Sequence, residues 1–108
     1  MRIREAEVPE RLKIVILRIV QEALHNISKY SRAHTAKLEL AQKKGALRLS
    51  ISDDGIGFSP GAVSSGKNSG AGIGLVSMKE RTELFGGTFR LTSRKGRGTT
   101  IIASWPLF

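Results

Sequence analysis

Seven glycines (Gly55, Gly57, Gly61, Gly66, Gly70, Gly72 and Gly74) fall within twenty residues near the middle of this 108-residue chain, interspersed with Ser59, Pro60, Ser64, Ser65 and Ser69. A glycine inside a helix or strand costs roughly 0.5–1 kcal/mol relative to alanine, and this stretch shows no apolar period to offset that cost. Residues 54–72 therefore read as one long loop. Regular structure has to come from the two flanks, which must pack against each other across it. A loop this long inside a compact domain is functional or disordered.

On the first flank, residues 1–8 are charged and read as a short strand or lead-in. Pro9 fits a first helical position, where its missing N–H costs nothing. From there Leu12, Val15, Ile16, Ile19, Val20, Ala23, Leu24, Ile27 and Tyr30 repeat with helical spacing and predict a helix to about Tyr30. Residues 36–40 alternate, Lys43-Lys44-Gly45 is a turn, and Leu47, Leu49 and Ile51 alternate again, so 36–53 reads as an antiparallel hairpin. On the second flank a helix is expected from about Ile73 to Phe85, stopped by Gly86-Gly87. Strands at 88–93 and 99–105 follow, joined by Arg94-Lys95-Gly96-Arg97-Gly98. Hairpins carrying helices on one face make an α+β protein, a two-layer sandwich, with residues 1–108 as one domain.

Composition closes off several classes. A chain of 11.8 kDa buries roughly 65% of its unfolded surface, enough for one core. The absence of cysteine excludes disulfides and thiolate metal sites, and the only histidines, His25 and His34, exclude a three-histidine centre. No apolar run approaches the ~20 residues of a membrane span, and the N-terminus lacks a signal-type apolar segment. A cytoplasmic location is expected, and a full-length parent could still be membrane-anchored. The net charge of +9, from 18 basic against 9 acidic residues, fits nucleic acid, an anionic membrane, a phosphorylated ligand, or a solvated basic surface.

Two places carry polar residues where apolar ones are expected. At 100° per residue, Glu22, Asn26 and Lys29 form a stripe along the flank of the first helix's apolar face. Asn26 is either a core amide bonded to nearby backbone, or an oxygen ligand set with a carboxylate and a cation around a metal-bound phosphate. On the second strand, Leu47, Leu49 and Ile51 point inward, so Asp53 points inward too. It needs donors, either its own loop's backbone N–H groups in an Asx turn or the N–H of a ligand. Gly61 to Asn68 mimics a phosphate-binding loop, but Asn68 replaces the required Ser or Thr and no strand leads into it. Gly70-Ala71-Gly72-Ile73-Gly74 lacks the dinucleotide-fold spacing, yet it puts glycines at a helix start, where free N–H groups attract phosphate.

Together these segments resemble the nucleotide-binding domain of the GHKL superfamily, which includes DNA gyrase and the sensor histidine kinases. Gln21 to Tyr30 is similar to the N box, Asp53-Asp54-Gly55-Ile56-Gly57-Phe58 to the first glycine box, and Gly70 to Leu75 to the second. Val76 to Arg81, Gly86-Gly87 and Gly96 to Thr100 look most like sensor kinases paired with helix-turn-helix response regulators. The resemblance covers about residues 9–106, with a lid at about 59–70. It implies the Bergerat fold, a mixed, mainly antiparallel sheet with helices on one face, and binding of ATP with Mg²⁺. Asn26 would coordinate the Mg²⁺. Glu22, beside the metal's water shell, would be the catalytic residue, and Lys29 would approach the phosphates. Asp53 would accept from the adenine amino group, while Gly55 and Gly57 let the backbone pass close to the base. Gly70, Gly72 and Gly74 would hinge the lid and open the phosphate-facing helix, with Leu75 also contacting nucleotide. Thr99 or Thr100 would lie near adenine.

Two features depart from the family pattern. Tyr30 stands where the family usually has a histidine. His25 and His34 lack the context of a helical dimerisation domain, where the family's phosphoacceptor lies, so the acceptor histidine would lie on a separate dimerisation domain, with a response regulator downstream and the isolated domain monomeric. The competing readings are a serine kinase of anti-sigma-factor type and a basic nucleic-acid-binding module. Against the latter, aromatics are 6%, and Arg94, Lys95 and Arg97 have no stacking neighbours. No nucleic acid is expected as a partner.

Overall fold

The computed structural model describes residues 8–56 and 70–107. Their order is α1 (Glu10–Asn26), a π-helical turn (Ile27–Ser31), β1 (Ala36–Lys43), β2 (Ala46–Asp53), α2 (Gly70–Leu84), β3 (Thr88–Arg94) and β4 (Gly98–Pro106). The expected lead-in at 1–7, Gly57 and nearly all of the expected lid lie outside the described residues.

Pro9 takes the N-cap of α1 rather than the first helical position, with φ −55° and ψ 140°. Its carbonyl accepts from the N–H groups of Leu12 at 2.9 Å and Lys13 at 3.2 Å. The helical period holds as read. Leu12, Val15, Ile16, Ile19 and Ala23 are buried. The α-helix ends at Asn26, four residues before the expected Tyr30, because the backbone widens there into the π turn, which closes on Arg32 in the left-handed region at φ 54°. Such turns occur often at functional sites.

The first hairpin turns at Lys44 (φ 51°) and Gly45 (φ 76°), both left-handed as a tight two-residue turn requires. The four strands run in the order β1-β2-β4-β3. All three pairings are antiparallel, so the mixed character that the resemblance implied is not seen among the described residues. α2 starts at Gly70, three residues before the sequence reading, with Gly70, Gly72 and Gly74 inside the helix. It ends as expected. Gly86 is left-handed at φ 82°, its N–H donates to the Glu83 carbonyl at 3.0 Å, and the Gly87 N–H reaches back to Thr82 at 2.9 Å, the pair of bonds that defines a Schellman cap.

Both helices lie on one face of the sheet. The core between the layers joins Leu12, Ile19 and Ala23 of α1 to Leu47, Leu49 and Ile51 of β2, Leu75 and Met78 of α2, and Ile101, Ala103 and Trp105 of β4.

Candidate functional site

One end of the sheet collects the polar residues that the sequence singled out. α1 delivers its C-terminal turn there, and the connector Arg32–Thr35 leads straight into Ala36, which pairs with Asp53. On the other side of Asp53, in register, is Thr99. Directly paired residues share a face. Asp53 therefore lies on the helix-covered side, in line with the buried Leu47, Leu49 and Ile51. Thr99 shares that side with the buried Ile101, Ala103 and Trp105, and Thr100 faces the uncovered side. Of the two threonines, only Thr99 is a neighbour of Asp53 on the inner face.

Asp53 is half-buried. Its Oδ1 accepts from the buried Gly55 N–H at 2.8 Å, the Asx turn anticipated from sequence, and the structure shows no other partner for this carboxylate among the described residues. Thr99 Oγ1 lies 2.8 Å from Ser93 Oγ, which also donates to the Gly98 carbonyl at 3.2 Å. Gly98, at φ 89°, presses its backbone against the Asp53 carbonyl, and a Cβ there would lie 3.1 Å from Asp54 Cα.

The helix side is built around Gly74. It is buried, and a side chain there would collide with the Glu22 carboxylate and come within 3.2 Å of Asn26 Nδ2. The close approach of α2 to α1 thus brings the second glycine segment onto Glu22 and Asn26. Both are half-buried, and both polar atoms of the Asn26 amide are buried without a hydrogen-bond partner among the described residues. Among the described residues, no backbone group pairs with Asn26 as the core-amide reading requires. Lys29 is exposed on the π turn. Leu75, expected to contact nucleotide, is 5% exposed and belongs to the core. Its side chain packs between the layers.

Asp54, next to the candidate base acceptor, was not singled out by the sequence, and its neighbourhood is the best-connected part of the site. Its Oδ1 accepts from the N–H groups of His34 at 2.9 Å and Thr35 at 3.0 Å. Its Oδ2 accepts from Thr35 Oγ1 at 3.0 Å. The Thr35 backbone N–H, followed by the Thr35 hydroxyl, holds the Asp54 carboxyl below its usual value of 3.8. A signal for this existed. Counting outward from the turn at Lys44-Gly45 places Thr35 opposite Asp54.

The family profile described as histidine kinase-, DNA gyrase B-, and HSP90-like ATPase matches residues 12–108. The chain belongs to this ATPase family. Among relatives of known name, it is 35% identical over 99 residues to the signal transduction histidine-protein kinase/phosphatase DegS of Brevibacillus brevis, covering 92% of this chain and 24% of DegS. It is 34% identical over 96 residues to the oxygen sensor histidine kinase NreB of Staphylococcus carnosus, covering 89% and 26%. Against the sensor histidine kinase LiaS of Bacillus subtilis it is 35% identical over 106 residues, covering 98% and 28%. The chain spans about a quarter of the length of these curated relatives. In fold, this ATPase-family chain matches the blue-light activated histidine kinase of Erythrobacter litoralis EL346 with a TM-score of 0.73 at 21% identity, over 93% of this chain and 32% of that one. The histidine kinase domain of that protein gives a TM-score of 0.70 at 21% identity, over 93% and 46%.

The residues present fit a hard divalent cation. An unpartnered amide oxygen beside a carboxylate is a suitable donor set for Mg²⁺, which keeps several waters and takes few protein ligands when phosphates complete its shell. Among the described residues no group of three or more His, Cys, Asp or Glu gathers into a metal cage, and Mg²⁺ on phosphates needs none.

Proposed function

We propose that this chain is the ATP-binding catalytic domain of a two-component sensor histidine kinase. In this reading it binds Mg-ATP and delivers the γ-phosphoryl group to a histidine on a separate dimerisation domain, with a response regulator downstream, in the cytoplasm. The observation that carries the reading is the Asn26 amide, buried and unpartnered against Glu22 and the close-packed Gly74. An amide left so costs the free protein stability, and a ligand that uses its oxygen removes that atom's share of the cost.

Asn26 Oδ1 would hold the cation, which when bound neutralises the phosphate charge. Asp53 would accept from the adenine amino group, beside the Thr99 hydroxyl. Gly55 and Gly57 would keep the wall beside the base free of side chains, and Lys29 would approach the phosphates. Free N–H groups at the start of α2, near Gly70 and Gly72, would meet phosphate oxygens. In the transfer the bond from phosphorus to the ADP oxygen breaks and a bond to the imidazole nitrogen forms. The nitrogen that attacks is the unprotonated one, the proton on the other ring nitrogen leaves, and Glu22 would be the carboxylate that receives it.

The test is a titration of the chain with ATP, with and without Mg²⁺, followed by thermal shift and calorimetry. Mg²⁺-dependent stabilisation by ATP is expected, and its absence sinks the reading. Asp53→Asn should weaken ATP by roughly 1.5–3 kcal/mol, the charge-assisted part of the bond, and erase the preference for ATP over GTP. Unchanged affinity and selectivity would remove Asp53 from the site.

A further inference from the structure

We propose that Asp54 is a positioning residue that sets the spacing between the base-reading and phosphate-reading halves of the nucleotide site. The proposal rests on the ATP-binding reading above.

The two halves come from different elements. Glu22, Asn26 and Lys29 belong to α1 and its π turn, and Asp53 to the end of β2. Between them runs the connector that starts at Arg32, and its last two residues, His34 and Thr35, supply all three donors to the Asp54 carboxylate. The Asp54 N–H returns a bond to the Thr35 carbonyl at 3.3 Å. One side chain therefore ties the exit of the phosphate-reading helix to the residue after the base acceptor.

The opposite side of the same segment is held by other means. Gly98 packs against the Asp53 carbonyl, and the Gly96 N–H donates to the Ile56 carbonyl at 2.5 Å. These contacts fix Asp53 to Ile56 relative to β3 and β4. The Asp54 bonds reach the other way, to the connector that leaves α1. A carboxylate suits the place because all its partners are donors. Asparagine would set an NH₂ group against one of them. His34, Thr35 and Asp54 are all exposed, so the arrangement is not needed to fill the core.

A ligand that engages both ends gains from having them prearranged, and a ligand that engages one end does not. The experiment compares Mg-ATP, by calorimetry, with adenosine, by NMR titration, on the wild-type chain and on Asp54→Ala, Thr35→Val and Thr35→Ser. Asp54→Ala should weaken Mg-ATP by about tenfold or more while adenosine changes by less than about threefold. Thr35→Val, which keeps both backbone bonds, should show the same pattern at smaller amplitude, and Thr35→Ser should behave as wild type. Equal losses for both ligands, or Mg-ATP affinity within about twofold of wild type in the folded variants, overturns the proposal. Should Asp54→Ala fail to fold, Thr35→Val decides by the same criteria. A wild-type chain that binds no Mg-ATP overturns the function reading and this one together, whereas normal wild-type binding with unaffected variants overturns this one alone.

Discussion

Burying both polar atoms of an amide without a partner costs on the order of 1–3 kcal/mol, and Asn26 carries that cost in the free protein. Asn26→Ala should therefore leave the ligand-free chain as stable as before, or stabilise it by up to about 1 kcal/mol, since alanine also favours the helix. Mg-dependent ATP binding should be lost. Urea unfolding without ligand and calorimetry with it read the two effects separately, and a large apo destabilisation would mean that the amide has a structural partner after all. Asp54 behaves differently. Its folded-state pKa lies below 3.8, held there first by the Thr35 backbone N–H. Its contribution to stability is then fully present above the unfolded value and is lost as pH falls through the folded one. The stability gap between wild type and Asp54→Asn should be flat from neutral pH down to about 5 and should close at pH values below the ordinary carboxylate range, near 3.8. Urea midpoints across that range check it, and a gap independent of pH would show that the charge is not what the three donors recognise. Inward parity alone located Asp53, because strand alternation is a property of the backbone. Asp54 was missed because its partners lie across a hairpin, and local pattern does not display a cross-strand bond.

At the level of elements, the two glycines that press on the site should respond in opposite ways. At Gly74 an added Cβ meets the end of the flexible Glu22 side chain, which can swing away, and alanine gains up to about 1 kcal/mol in helix propensity. Gly74→Ala should thus fold well and bind nucleotide poorly. At Gly98 the Cβ meets backbone, and φ is 89°, a conformation that an alanine adopts only with strain. Gly98→Ala should lower stability by about 2 kcal/mol or more, measured by thermal or urea unfolding without ligand. A Gly98→Ala chain as stable as wild type would show that the end of β4 is not fixed against Asp53. The helices and both hairpins were legible because apolar period, turn residues and the Gly86-Gly87 stop all agree with the observed fold. The start of α2 was not. Glycine's poor intrinsic helix preference argued for loop at Gly70 and Gly72, yet the helix that brings Gly74 against α1 includes both. Nor does the change from α to π winding at Ile27 leave a mark in the apolar spacing.

At the scale of the whole molecule, the net charge of +9 was legible and its use was not. Lys37, Arg48, Arg90 and Arg94 are all exposed, and strand parity puts them on the side of the sheet that no helix covers, away from Asp53 and Thr99. The nucleotide reading comes from a few residues at one sheet end and owes little to overall charge. The strand order has a separate consequence. β1 and β2 belong to the part of the chain before residue 57, β3 and β4 to the part after residue 69, and the parts share one ladder, β2 with β4. Each part is a helix followed by a hairpin, and among the described residues their apolar faces pack against each other. A chain cut between Ser64 and Ser65 should therefore behave as two complementary fragments. Each fragment alone should be unfolded and prone to aggregate along its open strand edge. Mixed at equal concentration, they should recover the circular dichroism of the intact protein and the near-ultraviolet signal of Trp105, which the rejoined layers bury.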